Sequence, residues 1–149
     1  MVILAAVGEK QGSERIIETA HDLASAYGDE LRVLHVIPQD DAEAHFEALT
    51  GIPEFRDFDF SVESDRAEAV AEELVGAVLD DYDADVVVPV GRIGEPARKI
   101  LDVADVVEAR YLVIGGRTRS PAGKAMFGRV TQSVVLNAEP PVVTVMEDE

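Results

Sequence analysis

Five apolar stretches set the rhythm of the chain. Val2 to Val7 is unbroken, as a strand covered on both faces should be. Leu31 to Ile37 repeats the pattern and is closed by Pro38. Asp85-Val86-Val87-Val88-Pro89-Val90, Tyr111-Leu112-Val113-Ile114 and Val142 to Met146 supply three more strands. Between them apolar positions recur at helical spacing. Ser13 and Glu14 open a first helix lined by Ile16, Ile17, Ala20, Leu23, Ala24 and Tyr27, and Gly28 takes its C′ position. Arg66 to Tyr82 is a second, with Ala67, Val70, Ala71, Leu74, Val75 and Val78 on its buried side. Ala97 to Val107, led by Pro96, is a third, and Lys124 to Ala138 a fourth.

Strand and helix alternate from end to end, which predicts an α/β fold with parallel strands and right-handed crossovers. Ligands on such sheets sit beyond the carboxyl ends of the strands. The loops at Gly8, Pro38, Gly91 and Gly115 all fall on that edge. The irregular part is Asp40 to Ser61, where Ala42 to Leu49 reads as a short acidic helix. Phe46, Phe55, Phe58 and Phe60 cluster there; they pack the connection onto the body, or form a lid or a partner patch.

The stretch with the most chemistry runs from Gly115 to Thr131. A strand that breaks into Gly115-Gly116 and reopens as a helix builds an anion site, because glycine admits close backbone approach and the helix start offers free N–H groups. No Asp or Glu lies between Gly115 and Ala138, whereas Arg117, Arg119, Lys124 and Arg129 do. The alternative is plain turn chemistry, with arginines offsetting an acidic surface.

Composition narrows the rest. A chain of 149 residues, 47% hydrophobic, fits one domain with a real core. No cysteine means no disulfide, thiolate metal site or thiol nucleophile. The apolar runs are too short to span a membrane, and a strand follows Met1 directly, so no signal peptide is expected and a cytoplasmic location is. Thirty Asp and Glu against thirteen Lys and Arg give a net charge of −17, and Lys10, Lys99 and Lys124 are the only lysines. Such a surface suits a high-salt cytoplasm, as in a halophile; a mesophile protein kept soluble by charge is the rival reading. Either way, nucleic acid and anionic membranes are disfavoured as partners.

Several motifs fail on inspection. Gly123-Lys124 is preceded by Thr118 where a P-loop needs glycine and followed by Ala125 where it needs Ser or Thr. Gly91-x-x-Gly94 lacks the third glycine of a dinucleotide fingerprint. His21, His35 and His45 have no metal-ligand spacing. No nucleophile and base can be paired, so no catalytic residue is assigned; slow ATP hydrolysis is the most that is left open.

The loop resembles that of the universal stress protein A-like family: Gly, two residues, Gly, nine residues, Gly, then Ser or Thr. Gly115 and Gly128 match the first and last glycines, while Thr118 and Arg129 stand at the other two positions. Asn137-Ala138-Glu139-Pro140-Pro141-Val142-Val143-Thr144-Val145 is similar to the family's closing loop and strand. The resemblance covers Ile3 to Met146. It implies a single domain with a five-stranded parallel sheet sandwiched by helices, strand order 3-2-1-4-5, and the loops at Gly8 and Gly115 side by side. It implies a small nucleotide-sensing or regulatory module of the stress response, binding ATP or AMP, with Mg only if ATP binds.

By the same resemblance, Val7-Gly8 stands where binding members carry an Asp over the adenine, and Val36 where the base packs. Gly115, Gly116, Arg117, Thr118, Gly128, Arg129, Val130 and Thr131 would line the phosphates. Thr118 would be awkward if that position demanded positive φ. The departures at Gly8, Thr118 and Arg129 keep a second reading open: an interaction protein with a decayed site and an unknown protein partner. Val142 to Met146 would end the sheet, and antiparallel pairing with a second copy would close that bare edge as a homodimer. The alternative is a monomer covered by Phe55 to Phe60.

Overall fold

The computed structural model describes residues 1–8, 13–41, 60–118, 125–126 and 128–148. Among the described residues the elements follow in the order β1 (Val2–Val7), α1 (Ser13–Tyr27), β2 (Glu30–Ile37), α2 (Phe60–Val78), β3 (Val87–Ile93), α3 (Pro96–Val106), β4 (Ala109–Thr118), β5 (Ala125–Met126), α4 (Arg129–Asn137) and β6 (Val142–Asp148). The five long strands form a parallel sheet in the order β3-β2-β1-β4-β6, which is the expected 3-2-1-4-5.

Apolar residues fill both faces, as continuous rather than alternating strand patterns require. On one face Ile3, Ala5, Leu31, Val33 and Val113 pack with Ile17 and Ala20 of α1 and Ala71 and Val75 of α2. On the other, Leu4, Leu34, Leu112 and Ile114 pack with Ala97, Ile100 and Val103 of α3 and Val134 of α4. Gly28 ends α1 in the left-handed region at φ 69°. There Asp29 N–H donates to Ala24 O at 2.9 Å and Gly28 N–H to Ser25 O at 3.4 Å. That is the paired hydrogen-bond stop expected of a C′ glycine.

Several boundaries differ from expectation, β6 among them, which runs past Met146 to Asp148. β4 does not break at Gly115-Gly116 but runs to Thr118, because β6 pairs with it as far as Thr118↔Asp148. Residues 125–126 are not helical: β5 lies antiparallel on β4, with Arg117↔Met126 and Thr118↔Ala125, and the last helix starts at Arg129 rather than Lys124. The second helix spans Phe60–Val78 instead of Arg66 to Tyr82. β3 begins at Val87 and continues to Ile93, carrying Gly91 into the sheet opposite His35. Glycine is needed there because α2 crosses its backbone: a Cβ on Gly91 would lie 2.7 Å from Ala67 C and closer still to Glu68 N and Ser64 O. The expected helix over Ala42 to Leu49, and Phe46, Phe55 and Phe58, lie outside the described residues; Phe60 begins α2.

Candidate functional site

The order of strands reverses between β1 and β4. Their ladder runs from Val2 to Ala5 on β1 and ends at Ala5↔Val113, although β1 continues to Val7 and β4 to Thr118. β1 stays paired with β2 to its end, at Val7↔His35. The sheet therefore opens at its carboxyl edge at the reversal, where α/β sheets hold ligands. β6 takes one side of the extended end of β4, so β5 sits on the other, beyond the end of β1.

Two helices begin at this opening. α1 starts with Ser13, buried, whose Oγ donates to Gly8 O at 2.6 Å. α4 starts behind Gly128, which is extended (φ −66°, ψ 172°) and offers no side-chain cap. The first intrahelical bond is Gln132 N–H to Gly128 O at 3.0 Å, so the preceding first-turn N–H groups lack a capping side chain. No acid occupies that turn, and Arg129, exposed, is its first residue. Cations at a helix N-terminus oppose the macrodipole, and an anion placed there relieves both.

Thr131 fastens α4 to the sheet. It is buried, and its Oγ1 donates to Gly115 O at 2.8 Å. A threonine hydroxyl has one proton, so in this geometry it can accept from a ligand but not donate to a phosphate. Gly115 has a packing reason of its own: a Cβ there would stand 2.8 Å from Ile16 Cδ1 of α1. Among the described residues Gly128 has none, since a Cβ would meet nothing of them within 4 Å and its φ is ordinary.

The remaining expected site residues divide. Val7 and Gly8 lie at the end of β1 past its last pair with β4, Gly115 and Gly116 on β4 past the same point, and Thr131 ties the start of α4, with Gly128 and Arg129, to Gly115. Val36 and Val130 lie half-buried, both packed against the core shared by α3 and α4. Arg117 and Thr118 are strand residues of β4, and among the described non-glycine residues only Glu108 has positive φ. Thr118 is thus extended, and the steric objection to it disappears. Arg119 and Lys124 lie outside the described residues.

His35 is a core residue. It is buried on β2, and Nδ1–H donates to Val7 O at 3.0 Å, which stiffens the floor of the opening. Sequence reasoning took Ser13 only as a helix start and passed over Arg15, whose Nη1 donates to Met146 O at 2.6 Å. Ser at a helix start signals a capping role; nothing local announces a contact made 131 residues away.

At the opposite edge of the sheet is a second polar group. Asp29, buried, accepts from Arg110 Nε at 2.6 Å and from the Met1 amine at 3.2 Å. The Arg110 hydrogen bond, helped by the amine, holds the Asp29 carboxyl below its ordinary 3.8, against the upward push of desolvation. Arg110 also lies 4.4 Å over the Tyr27 ring, and Tyr27 and Tyr111 share a hydroxyl contact of 3.2 Å. The Tyr27 contact is the main cause that raises the Tyr111 phenol above its ordinary value. This cluster ties the starts of β1, β2 and β4 together and is remote from the opening. Among the described residues no cluster of His, Asp and Glu could hold a metal, and no helix is long and apolar enough to cross a membrane.

Residues 1–146 match a family model described as the universal stress protein family. A universal stress protein from Archaeoglobus fulgidus superposes with a TM-score of 0.62 at 30% identity, covering 97% of each chain. A structure of the universal stress protein from the same organism in complex with dAMP gives 0.59 at 24% identity, covering 97% of this chain and 96% of that one. A universal stress protein in complex with cAMP gives 0.58 at 17% identity, with the same coverage. The last two speak to the fold alone. No curated protein matches the sequence.

Proposed function

The chain belongs to the universal stress protein family, and from that premise we propose that it is a nucleotide-sensing regulatory module that binds adenine nucleotides, AMP or ATP, at the opening between β1 and β4. The observation that carries the reading is the start of α4: uncapped, free of acid, headed by Arg129, and pinned by Thr131 beside the point where β1 and β4 part. The phosphate would lie on the N–H groups behind Gly128, with Arg129 as its counter-charge. The base would pack on the half-buried Val36. The dAMP and cAMP complexes of related proteins support this class of ligand. Mg enters only with ATP. Catalysis is not part of the proposal.

The test is isothermal titration with AMP, ATP and cAMP at molar salt, paired with thermal shift. Saturable heat, weakened at least about tenfold by Arg129→Ala, is the expected result, in line with loss of a charged hydrogen-bond partner. Absence of heat and of thermal shift with all three sinks the proposal. The acid-rich surface makes a saline cytoplasm the proposed setting, and molar salt therefore the proper condition.

One pair of observations favours the second reading, an interaction protein with a decayed site. The Thr131 proton is already spent on Gly115 O, and Gly115 is accounted for by Ile16. Nucleotide binding gained by Arg129→Ser in a parent that lacks it would establish that reading. In both readings the module pairs as a homodimer along the outer edge of β6, over Val142 to Met146.

A further inference from the structure

The outer edge of β6 is not uniformly open. Leu112 N–H donates to Pro141 O at 3.0 Å, and Leu112 is in register with Val142. In a parallel ladder the N–H and C=O of one residue point to the same side and alternate along the strand. Pro141, Val143, Val145 and Glu147 therefore turn their backbone groups to β4, and Val142, Thr144, Met146 and Asp148 turn theirs outward. These outward groups are what a second strand would pair with.

Met146 O is already occupied. Arg15 reaches from the first turn of α1 and places Nη1 2.6 Å from it. Two features make this a deliberate contact. Arginine on the first turn opposes the helix dipole, so the position is unfavourable unless the cation meets an acceptor there. The neighbours of Arg15 also fix where it stands: Ile16 and Ile17 are buried, and Ile16 lies on Gly115. Gly115 is in register with Val145, one residue from Met146.

We infer that Arg15 is an edge guard: it closes the carboxyl end of the β6 edge by engaging Met146 O, and a second copy adding its β6 in antiparallel fashion must displace it. This rests on β6 being the pairing edge. Antiparallel pairing about a two-fold axis puts the outward groups of one strand against those of the other, so an engaged Met146 O on each copy removes one bond toward either end of the shared ladder. Among the described residues the edge then offers Val142 and Thr144 without a partner, and Met146 O only at the cost of the Arg15 bond. No lysine lies on β6 itself, so the guard that other edges carry in the strand comes here from the neighbouring helix. The guard also links the edge to the ligand opening, since the same turn of α1 that carries Arg15 bonds Gly8 through Ser13.

The experiment is sedimentation velocity of the full chain over a range of concentrations at high salt, for the parent, Arg15→Ala, Thr144→Pro and the double variant. Arg15 is exposed, so Arg15→Ala keeps the fold, which a thermal melt confirms. Thr144→Pro removes an outward N–H without taking a donor from the β4 ladder. Arg15→Ala is expected to tighten self-association at least about fivefold and up to about a hundredfold, the worth of two hydrogen bonds, one per copy, no longer displaced. The double variant is expected to lose that gain. Association that is unchanged or weaker in Arg15→Ala overturns the guard. A parent dimer insensitive to Thr144→Pro shows that copies meet elsewhere, and overturns the pairing edge as well.

Discussion

Thr131→Val separates two roles that a hydroxyl can play at this opening. The substitution keeps the branched shape and deletes the Oγ1 bond to Gly115 O, 2.8 Å long, from a side chain that is 9% exposed. A net contribution of about 1 kcal/mol is expected for one neutral hydrogen bond, rising toward about 2 if the orphaned carbonyl stays dry. Gly115 is half-buried, so water reaches the carbonyl in part and the lower figure applies. For a domain of this size about 1 kcal/mol moves Tm by roughly 3 °C. The proton of Thr131 is committed to the backbone, so nucleotide affinity should change less than about threefold when the hydroxyl is lost. The assay is a thermal melt without ligand, followed by titration with AMP at a temperature where both proteins are folded. An unchanged Tm together with abolished AMP heat would refute this reasoning and return the hydroxyl to the phosphates.

Two further perturbations test the frame that holds the opening. Gly91→Ala pushes a methyl into backbone rather than side chain, so α2 or β3 must shift; a loss of at least about 2–3 kcal/mol in urea unfolding is expected, and a loss below about 1 would mean that α2 does not cross β3 so closely. Asp29 has its folded pKa lowered by Arg110, so the stability it adds is complete above its unfolded value of 3.8 and is lost as pH falls through the lower folded value. The stability gap between parent and Asp29→Asn, read by urea unfolding, should therefore be constant near neutrality and close in the acid range; a gap that widens on acidification contradicts the assignment.

The fold was legible because its signals are local and agree with one another. Val2 to Val7 and Leu31 to Ile37 are apolar enough to be buried on both faces, and Ser13 and Gly28 mark the ends of α1 by mechanisms that act within one turn. What escaped was set by partners far away in sequence. Gly115-Gly116 reads as the end of a strand, yet β6, arriving about thirty residues later, supplies a ladder that keeps it extended to Thr118. The same applies to Gly91, where glycine suggested a turn and the cause is the backbone of α2. Lys124 to Gly128 carried no residue that forbids a helix except the glycine itself, so the short β5 pairing was not visible.

Glycine is ambiguous in a sequence because different physics can demand it, and the structure sorts these demands. Gly28 answers a positive φ, Gly91 a crossing backbone, and Gly115 the Ile16 side chain, whose terminal carbon could yield. Each is accounted for within the chain. Gly128 differs: its φ of −66° suits any residue, and a Cβ would meet none of the described residues within 4 Å. Ser, Thr, Asn or Asp at that N-cap would stabilise α4 by only about a few tenths of a kcal/mol over glycine, and Asp would also complement the dipole. A capping oxygen, however, would occupy the N–H groups that an anion needs, and a carboxylate would repel it. Glycine at this N-cap thus brings no capping oxygen of its own to the first-turn N–H groups at little cost to the helix, which is the arrangement that the proposed phosphate site requires.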